Sequence, residues 1–516
     1  MVLLTLSQLA SLPPILRYHA ASGPEPWLKS FIFDSRSAEP GTLFFALPGT
    51  HTEGERFLPD VHARGCRAVV VTRLPETPYP DTAYLIVADT RAAMSPLSDA
   101  FYGSPSRQIP VIGVTGTDGK SSTVSYIHQL LELSGRPSGF FSTVQWKVAD
   151  DVEHNSLRQS TPEAPQIHQL LRQMLENGKR YAVLESTSHG LSPKTSRLAD
   201  VRYECAVFTN VTSEHLEFHG TVENYRRDKS RLFEALPQRG SPTAFGVVNA
   251  DDPHHDLFVR AGTGRQVYLY SLLASQAHPD VELAAQLLSE TPASLELLLT
   301  WRGQTLPVQA PFPGRFNAEN LLAALLAVWG TVNRQEGLDL TPLDWASYIP
   351  RLTAVKGRMR QVNRGQPFSL LIDYAHTPGA FEKLLPSARG SCQGRLITVF
   401  GSGGERDRVK RPQQGALADQ WSDFIVLTDE DPRGEPSEQI LADIEAGITQ
   451  KSLGHGYWKI PRRAEAVAFA LDLARPGDTV LLLGKGHEQT LVGPEGSAPY
   501  DEEAVALAAL AQRGWS

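Results

Sequence analysis

A strand that runs into a glycine-rich loop and then a helix is the feature that most constrains this chain. Residues 111–122 read Val-Ile-Gly-Val-Thr-Gly-Thr-Asp-Gly-Lys-Ser-Ser, and a helical pattern follows from Val124 to Leu133. In such a loop, backbone N–H groups and the helix N-terminus face a bound anion, and a lysine neutralises it. The sequence therefore predicts a phosphate site between a buried strand and a helix.

The glycine spacing of this loop is unusual. It reads G-x-x-G-x-x-G-K-S, because Val114 stands where the common G-x₄-G-K-[ST] loop has its first glycine. We expect Lys120 to neutralise phosphate and Ser121 to reach Mg²⁺. An ordinary strand-to-helix turn with a chance lysine is the alternative. The predicted nucleotide-binding residues are Gly116, Thr117, Asp118, Gly119, Lys120, Ser121 and Ser122.

Short apolar runs alternate with helical patterns along the whole chain. This alternation is typical of parallel sheets covered by helices, so the predicted fold class is α/β. The predicted buried strands are residues 68–72, 110–115, 182–185, 206–209, 246–249, 370–373, 396–400, 424–428 and 479–483.

The chain is too long for one typical domain. Its 516 residues, at about 150 residues per domain, indicate roughly three domains. A turn-rich segment at 102–107 precedes the strand of the glycine loop, and a second break lies near 348–355. These breaks predict domains at 1–107, 108–350 and 351–516.

Charge and cysteine content exclude several protein classes. A formal net charge of −8 argues against a nucleic-acid binder, which usually carries a basic patch. Cys66, Cys205 and Cys392 are far apart and form no CxxC pair, which fits core residues in a reducing compartment.

The N-terminal segment resembles neither a signal peptide nor a membrane span. It has no early basic region, and Pro13 and Pro14 interrupt its apolar residues, so we predict a short helix followed by a loop. No other stretch approaches the roughly 18 apolar residues of a membrane span. The expected location is cytoplasmic, with no membrane partner.

Three segments after the glycine loop resemble the central domain of the Mur ligases. They are Glu-Ser-Thr-Ser-His-Gly-Leu at 185–191, Phe-Thr-Asn-Val-Thr-Ser-Glu-His-Leu-Glu-Phe-His-Gly at 208–220, and Asn-Tyr-Arg-Arg-Asp-Lys-Ser-Arg-Leu-Phe at 224–233. The resemblance implies that Glu185 and His215 bind Mg²⁺. It also implies that Lys229 is carbamylated by CO₂ and holds a second Mg²⁺, with the Ser121 hydroxyl as a further ligand. Mg²⁺ prefers oxygen ligands, and carbamylation turns a lysine into an anionic oxygen ligand.

Further motifs resemble the parts of Mur ligases that contact ATP. Gly-Arg-Phe-Asn-Ala-Glu-Asn at 314–320 opens a long apolar helix, and Lys-Gly-Arg at 356–358 and Ile-Asp-Tyr-Ala-His-Thr-Pro at 372–378 follow. The resemblance implies that Asn317 and Asn320 meet the adenine and that Arg358 and Asp373 reach ATP. It places His376 near the incoming amino acid. Helix capping is the alternative for the two asparagines.

The N-terminal third resembles the uridine-nucleotide domain of Mur ligases, through Asp-Ser-Arg at 34–36, Pro-Gly-Thr-Leu-Phe-Phe-Ala at 40–46 and Gly-Thr-His-Thr-Glu-Gly at 49–54. Generic turns are the alternative. The dipeptide arm of the acceptor would meet Ser160, Thr161, Ser188 and Arg197, with Lys194 as an alternative to Arg197 because the linking loop is about two residues longer than usual. The residues implied to line the uracil and diphosphate are Ser35, Thr50, His51 and Thr52.

The C-terminal third resembles the Mur ligases that add the third amino acid (MurE type). The matching segments are Gly401–Pro412, Asp429–Glu435 and Gly484–Glu488, and the whole resemblance runs from about Asp34 to Glu503. The residues implied to surround the added diamino acid are Arg406, Asp431, Arg433, Gly484 and Glu488.

One departure bears on which amino acid is added. Members that add diaminopimelate read Asp-Asn-Pro-Arg, whereas this chain reads Glu-Asp-Pro-Arg at 430–433. Arg433 could pair with a distal carboxylate, which favours meso-diaminopimelate. The negative charges of Glu430 and Asp431 suit the bare ammonium of L-lysine or L-ornithine. We favour lysine or ornithine slightly and leave diaminopimelate open.

The resemblance as a whole implies an ATP-dependent amide ligase of peptidoglycan synthesis that works through an acyl phosphate. It implies a uridine-nucleotide domain, a central P-loop ATPase-like domain and a C-terminal Rossmann-like domain. The expected partners are small molecules, with a monomer expected. The alternatives are a dipeptide-adding Mur ligase, a folylpolyglutamate-type ligase and a non-catalytic nucleotide-binding relative.

Overall fold

The computed structural model describes residues 4–48, 53–155, 157, 159–212, 214–273 and 280–515. The chain divides into two compact units. The first unit consists of Met1–Lys120, Leu131–Tyr268 and Leu326–Asp339. The second unit consists of Ser121–Leu130, Leu269–Leu325 and Leu340–Ser516. No helix in the described ranges is both long enough and apolar enough to cross a bilayer.

A five-stranded sheet forms the N-terminal part of the first unit, in the order β1-β5-β4-β3-β2. All neighbours are parallel except β1 and β5. Its strands are β1 (Ile15–His19), β2 (Ser30–Ile32), β3 (Thr42–Phe45), β4 (Ala68–Val71) and β5 (Ala83–Val87). Its helices are α1 (Leu6–Ala10), α2 (Leu58–Ala63), α3 (Thr90–Phe101) and the 3₁₀ turns Ser35–Ser37, Gly54–Phe57 and Pro105–Arg107.

The N-terminal segment corrects one prediction. The expected short helix is α1, but the expected loop contains β1, which pairs antiparallel with β5. Pro13 and Pro14 lie before this edge strand, where proline costs no sheet hydrogen bond. The prolines therefore separate a helix from a strand.

A larger sheet surrounds the glycine loop in the first unit, in the order β13-β12-β11-β6-β10-β7-β8-β9. Strand β6 lies between β10 and β11 and is parallel to both. The strands are β6 (Val111–Thr115), β7 (Ser138–Phe141), β8 (Gln145–Lys147), β9 (Glu153–His154), β10 (Tyr181–Glu185), β11 (Cys205–Phe208), β12 (Phe245–Asn249) and β13 (Gln266–Ser271). The helices of the first unit are α5 (Ala164–Glu176), α6 (Ser188–Leu191), α7 (Leu216–His219), α8 (Val222–Arg239) and α9 (His255–Ala261). Helices α4 (Lys120–Leu133) and α10 (Arg315–Glu336) have residues in both units.

Three antiparallel strands in the second unit were not predicted. They are β14 (Val281–Glu290), β15 (Leu295–Trp301) and β16 (Gln304–Ala310). The side chains of β15 alternate between buried and more exposed positions, as expected when one face of a sheet is packed. The 3₁₀ segment Pro342–Arg351 follows α10.

A six-stranded sheet forms the C-terminal part of the second unit, in the order β17-β18-β22-β19-β20-β21. All neighbours are parallel except β17 and β18. Its strands are β17 (Arg360–Gln361), β18 (Ser369–Asp373), β19 (Leu396–Phe400), β20 (Phe424–Leu427), β21 (Tyr457–Lys459) and β22 (Thr479–Leu483), with the hairpin β23 (Thr490–Gly493) and β24 (Gly496–Pro499). Its helices are α11 (Pro378–Ser391), α12 (Lys410–Trp421), α13 (Ser437–Glu445), α14 (Arg463–Leu473) and α15 (Glu502–Ala511).

This C-terminal sheet buries both faces. Leu371 and Leu481 pack with α11, α12 and α13, whereas Leu370 and Val480 pack with α14 and α15. All nine predicted strands are present, with ends that agree within one residue, and the α/β class is confirmed. The two predicted domain boundaries stay a prediction.

Candidate active site

The glycine loop lies at the carboxyl end of three adjacent parallel strands. Strand β6 ends at Thr115, and α4 begins at Lys120. Gly116 has φ of +154°, and a Cβ there would overlap Oγ1 of Thr209. The loop therefore requires glycine at position 116, because the next strand end approaches its backbone closely.

The segment after β11 fixes the shape of this loop. The amide of Thr117 donates to the carbonyl of Asn210 at 2.7 Å, and the amide of Asp118 donates to Oδ1 of Asn210 at 3.0 Å. Oγ1 of Thr209 donates to the carbonyl of Asp118 at 2.7 Å. Thr209 and Asn210 lie in the segment 208–220 but had no predicted role. Their position at the end of a strand beside β6 was the signal that they support the loop.

Two lysines converge on the loop. Nζ of Lys120 donates to the carbonyls of Gly116 at 3.0 Å and Thr117 at 2.6 Å. Nζ of Lys229, on α8, donates to the same Gly116 carbonyl at 2.5 Å. Burial and then the charge of Lys120 hold the pKa of Lys229 well below its usual value. Two amines beside a glycine loop form a site suited to an anion.

Acidic groups lie around this lysine pair. Glu185 ends β10 and is 2% exposed, and its carboxylate accepts from the amide and hydroxyl of Thr143 at 2.9 and 2.8 Å. The Tyr225 hydroxyl lies 3.0 Å from Oγ1 of Thr117 and donates to Glu214 at 3.4 Å. Tyr225 and Glu214 were missed by sequence analysis. They link the glycine loop to the segment that contains His215.

His215 lies at the start of α7 with φ of +55°. Its Nε2 lies 3.6 Å from Glu214, and its Nδ1 lies 3.4 Å from Glu217. Ser121 and Ser122 are buried in the first turn of α4. The His215 ring centroid lies 6.4 Å from that of Tyr225, whose hydroxyl bonds Glu214.

The side chains around the glycine loop fit a Mg²⁺ ion that takes most of its ligands from phosphates and water. Among the described residues, no three or more His, Cys, Asp or Glu side chains are grouped to hold a metal ion. Mg²⁺ typically needs only one or two protein carboxylates, with phosphates and water as its other ligands. Buried Glu185, close enough to Lys229 to affect its pKa, supplies such a carboxylate.

Two of the residues expected to hold the acceptor dipeptide, Thr161 and Arg197, lie near the carboxyl end of β10. Oγ1 of Thr161 donates to the Glu185 carbonyl at 3.0 Å. The Arg197 guanidinium donates to the Thr161 carbonyl at 2.9 Å and to Glu163 at 2.6 Å. Lys194 is exposed, and its Nζ donates to the Phe218 carbonyl at 2.7 Å. The structure thus brings Arg197, rather than Lys194, to Thr161.

Ser188 belongs to a buried hydrogen-bonded chain that sequence analysis missed. Its Oγ lies 3.1 Å from Nε2 of His219, and Nδ1 of His219 lies 2.9 Å from Asp228. Asp228 directly precedes Lys229 on α8. These hydrogen bonds fix the Ser188 side chain relative to α8, the helix that carries Lys229.

The remaining N-terminal residues are only partly described. Ser35 begins the 3₁₀ turn after β2, beside Asp34, whose carboxylate accepts from the Arg36 amide at 2.9 Å. Ser160 is half-buried. Thr50, His51 and Thr52 lie outside the described residues.

Asn317 and Asn320 are buried near the start of α10. Nδ2 of Asn317 donates to the Pro313 carbonyl at 2.8 Å, and Nδ2 of Asn320 donates to Oδ1 of Asn317 at 3.3 Å. Oγ1 of Thr123 donates to Asn320 at 3.3 Å. The pair is therefore held next to the first turn of α4 in the second unit.

A second group of predicted residues lies along one edge of the C-terminal sheet. The loops after β18, β22, β19 and β20 share this edge because these strands are adjacent and parallel. Asp373 accepts from the Met359 amide at 2.7 Å, and Arg358 lies over the Tyr374 ring at 4.8 Å. Nδ1 of His376 lies 2.8 Å from the Tyr374 carbonyl.

Lys485 changes the expected charge of this edge. It is fully buried, and its Nζ donates to Asp431 at 2.8 Å and to Glu488 at 2.6 Å. Asp431 also accepts from the Val492 amide at 2.9 Å. The prediction counted Asp431 as a negative charge that would suit an ammonium. The Lys485 ammonium, shared between Asp431 and Glu488, offsets part of that negative charge.

Glu430 does not supply a simple negative charge either. Burial raises the pKa of its carboxyl group, and its Oε2 has no hydrogen-bond partner among the described residues. Gly484 beside it has φ of +100°, a conformation that favours glycine, and its Cα faces Oε2 of Glu430. Arg433 adopts φ of +55° and donates its amide to the Val492 carbonyl. Arg406 is exposed on the loop after β19.

The sequence matches two family domains. Residues 114–328 match the Mur ligase middle domain, and residues 357–486 match the Mur ligase, glutamate ligase domain. The chain is 43% identical to the UDP-N-acetylmuramyl-tripeptide synthetase of Roseiflexus sp. (strain RS-1), over 100% of this chain and 99% of that protein.

More distant proteins match over nearly the same length. The UDP-N-acetylmuramoyl-L-alanyl-D-glutamate--2,6-diaminopimelate ligase of Geobacillus thermodenitrificans (strain NG80-2) is 35% identical, over 95% of this chain and 96% of that protein. A solved structure of a ligase with that same name superposes with a TM-score of 0.67 at 27% identity, covering 100% of both chains.

Proposed function

The chain belongs to the Mur ligase family, and we propose that it adds a diamino acid to UDP-N-acetylmuramoyl-L-alanyl-D-glutamate in peptidoglycan biosynthesis. It is an ATP-dependent, peptide-forming ligase that acts on small molecules. The observation that carries the proposal is the glycine loop, where Lys120 and Lys229 meet at the carbonyl of Gly116. A carboxylate is a poor acylating agent at neutral pH, so amide formation requires an activating phosphate.

The proposed reaction has two steps. A carboxylate oxygen of the D-glutamate attacks the γ-phosphorus of ATP, an O–P bond forms, and the bond from phosphorus to the ADP oxygen breaks. The neutral amine of the diamino acid then attacks the acyl carbon through a tetrahedral intermediate. Phosphate leaves, the nitrogen loses a proton, and the products are the tripeptide, ADP and phosphate.

Lys120 and the loop from Gly116 to Ser122 would bind the ATP phosphates. Phosphoryl transfer depends mainly on positioning and on neutralising charge, and the Lys120 ammonium supplies a positive charge at the loop. The Lys120 hydrogen bonds to Gly116 and Thr117 would be exchanged for phosphate oxygens. The proposed residues of the loop are Gly116, Thr117, Asp118, Gly119, Lys120, Ser121 and Ser122.

Ser121, Glu185, His215 and a carbamylated Lys229 would hold Mg²⁺, which when bound neutralises and orients the phosphates. Burial favours the neutral amine of Lys229, because it lowers the pKa of this group. A neutral amine can attack CO₂, forming a C–N bond and releasing a proton. The resulting carbamate would place an anion beside the Lys120 ammonium.

Ser160, Thr161, Ser188 and Arg197 are the proposed contacts of the acceptor dipeptide. Arg197 is favoured over Lys194 because its guanidinium already bonds the Thr161 carbonyl, next to the end of β10. The guanidinium can bind a carboxylate through two parallel hydrogen bonds, which an ammonium cannot do. The proposed uridine-diphosphate contacts are Ser35, Thr50, His51 and Thr52.

In the second unit, Asn317 and Asn320 are the proposed adenine contacts, and Arg358 and Asp373 the proposed further ATP contacts. His376 and the C-terminal sheet edge would receive the diamino acid. We retain domains 1–107, 108–350 and 351–516 as the proposed division, named as uridine-nucleotide, ATP and amino-acid domains. The proposed amino-acid contacts are Arg406, Asp431, Arg433, Gly484 and Glu488.

Product analysis tests this function. Purified protein is incubated with ATP, Mg²⁺, the UDP-linked dipeptide and one diamino acid at a time, and the nucleotide products are identified by mass spectrometry. We expect one tripeptide product, whose formation requires ATP. Activity only with a folate acceptor, or with D-alanyl-D-alanine and a tripeptide acceptor, would instead assign the chain to another branch of the family.

A further inference from the structure

Lys485 links two loops at the sheet edge that receives the proposed diamino acid. It lies on the loop after β22, whereas Asp431 lies on the loop after β20. Its Nζ donates to Asp431 at 2.8 Å and to Glu488 at 2.6 Å. The Lys485 side chain is 0% exposed, whereas those of Asp431 and Glu488 are 15% and 32% exposed. The ammonium is therefore buried behind two partly exposed carboxylates.

Other polar and charged groups lie near that ammonium. The Tyr374 hydroxyl donates to Glu488 at 3.3 Å but carries no charge when protonated, and burial raises the pKa of that hydroxyl. The side chain of Arg433 contributes one positive charge on the same loop as Asp431. Glu430 also lies near Lys485, and burial raises the pKa of its carboxyl group. Lys485 is the cation hydrogen-bonded to both Asp431 and Glu488.

We propose that Lys485 is a specificity-determining positioning residue, which sets the net charge that the far end of the added diamino acid meets. This inference rests on the proposed function. L-Lysine and L-ornithine end in a lone ammonium with a charge of +1. The far end of meso-diaminopimelate carries an ammonium and a carboxylate and is neutral overall. One unit of charge in the pocket therefore changes the binding of the lone ammonium much more than that of the neutral end of diaminopimelate.

Two substitutions change the pocket charge in opposite directions. Lys485→Met keeps the approximate length of the side chain and makes the pocket one unit more negative, which favours the lone ammonium. Asp431→Asn keeps the shape and makes the pocket one unit more positive, which favours diaminopimelate. At an effective dielectric constant near 20, one charge several ångströms away changes a ratio of rates by about ten-fold or more.

The experiment measures kcat/KM for L-lysine, L-ornithine and meso-diaminopimelate in the wild type, both variants and the double variant. We expect the ratio of the better basic amine to diaminopimelate to rise about ten-fold in Lys485→Met and to fall about ten-fold in Asp431→Asn. The double variant should return toward the wild-type ratio. The KM for ATP should stay within about two-fold, because the change acts on the amine.

Loss of a buried cation can also destabilise a protein. Thermal unfolding of each variant is therefore measured, and if Lys485→Met does not fold, Asp431→Asn and Lys485→Arg carry the test. Lys485→Arg keeps the charge and should keep the wild-type ratio. Equal losses of kcat/KM with all three amines would overturn the inference. A shift of the amine ratio in the same direction in Lys485→Met and Asp431→Asn would also overturn it. Absence of turnover in the wild type with all three amines would overturn the proposed function and this inference with it.

Discussion

The ammonium groups of Lys120 and Lys229 share one acceptor, the main-chain carbonyl of Gly116, at 3.0 and 2.5 Å. They reach it from different helices, α4 and α8. Two cations this close disfavour each other, and the charge of Lys120 helps to lower the pKa of Lys229. A bound phosphate, or a carbamate on Lys229, would relieve this repulsion.

Removal of the Lys120 ammonium should nearly abolish turnover. Lys120→Ala deletes the positive charge at the phosphate loop, and we expect kcat to fall by about a thousand-fold or more while the protein remains folded. Steady-state phosphate release and circular dichroism check this outcome. Lys29→Ala is the matched control, since Lys29 pairs with Glu39 on the surface. Wild-type activity in Lys120→Ala would contradict the role of the loop.

Activity should depend on CO₂ through Lys229. In buffer stripped of CO₂ we expect the wild type to lose most of its activity and to regain it when bicarbonate is added. Lys229→Met cannot form a carbamate and should be inactive in both buffers, by about a hundred-fold or more. Rates measured in sealed, degassed solutions check this. A wild type that is indifferent to bicarbonate after prolonged depletion would argue against the carbamate.

Arg197 and Lys194 should differ in their effect on the acceptor. Arg197→Ala removes a guanidinium bonded to the Thr161 carbonyl, so we expect the KM for the UDP-linked dipeptide to rise about ten-fold or more at unchanged KM for ATP. Lys194→Ala should change it by less than about two-fold. Glu163→Gln breaks the ion pair with Arg197 and controls for loss of that pair alone. If Lys194→Ala raises the KM for the UDP-linked dipeptide more than Arg197→Ala does, the D-glutamate carboxylate is held by Lys194.

His168 should make the protein sensitive to acid. Its ring is fully buried on α5, 3.5 Å from Asp99, and burial lowers the pKa of His168 to about 3. The unfolded chain, with a pKa near 6.5, binds the proton first, so stability falls as pH falls from about 6.5 to about 3. Each pH unit in that window costs about 1.4 kcal/mol.

The test compares urea unfolding of the wild type and His168→Gln at pH 7.5 and pH 5. We expect the stability of the wild type relative to the variant to decrease by about 2 kcal/mol between these pH values. His455→Gln changes an exposed side chain and should retain the acid sensitivity of the wild type. If the free energies of unfolding of the wild type and His168→Gln differ by the same amount at both pH values, His168 does not cause the acid sensitivity.

Local patterns in the sequence predict much of this fold. The apolar strands β6, β10 and β11 and the glycine loop are each a single short segment of sequence. Each lies at its predicted position in the structure. The strands β14 to β16 were missed, although Arg302 and Gly303 form a two-residue hairpin turn with positive φ at both positions. That turn was the available signal.

Long-range pairs could not be predicted in the same way. Lys485 lies in a segment that sequence analysis had singled out, but its contact with Asp431 joins residues 54 positions apart. Only the order of the strands in the sheet brings the two loops to one edge. The charge argument for lysine or ornithine therefore could not include Lys485.

The most direct test of the central claim is phosphate release from ATP with UDP-N-acetylmuramoyl-L-alanyl-D-glutamate, with L-lysine, L-ornithine or meso-diaminopimelate supplied separately. We predict release that requires the acceptor and at least one of these amines, and that disappears in Lys120→Ala. No release with any of the three, from folded protein that binds ATP, would contradict the assignment as a third-residue ligase.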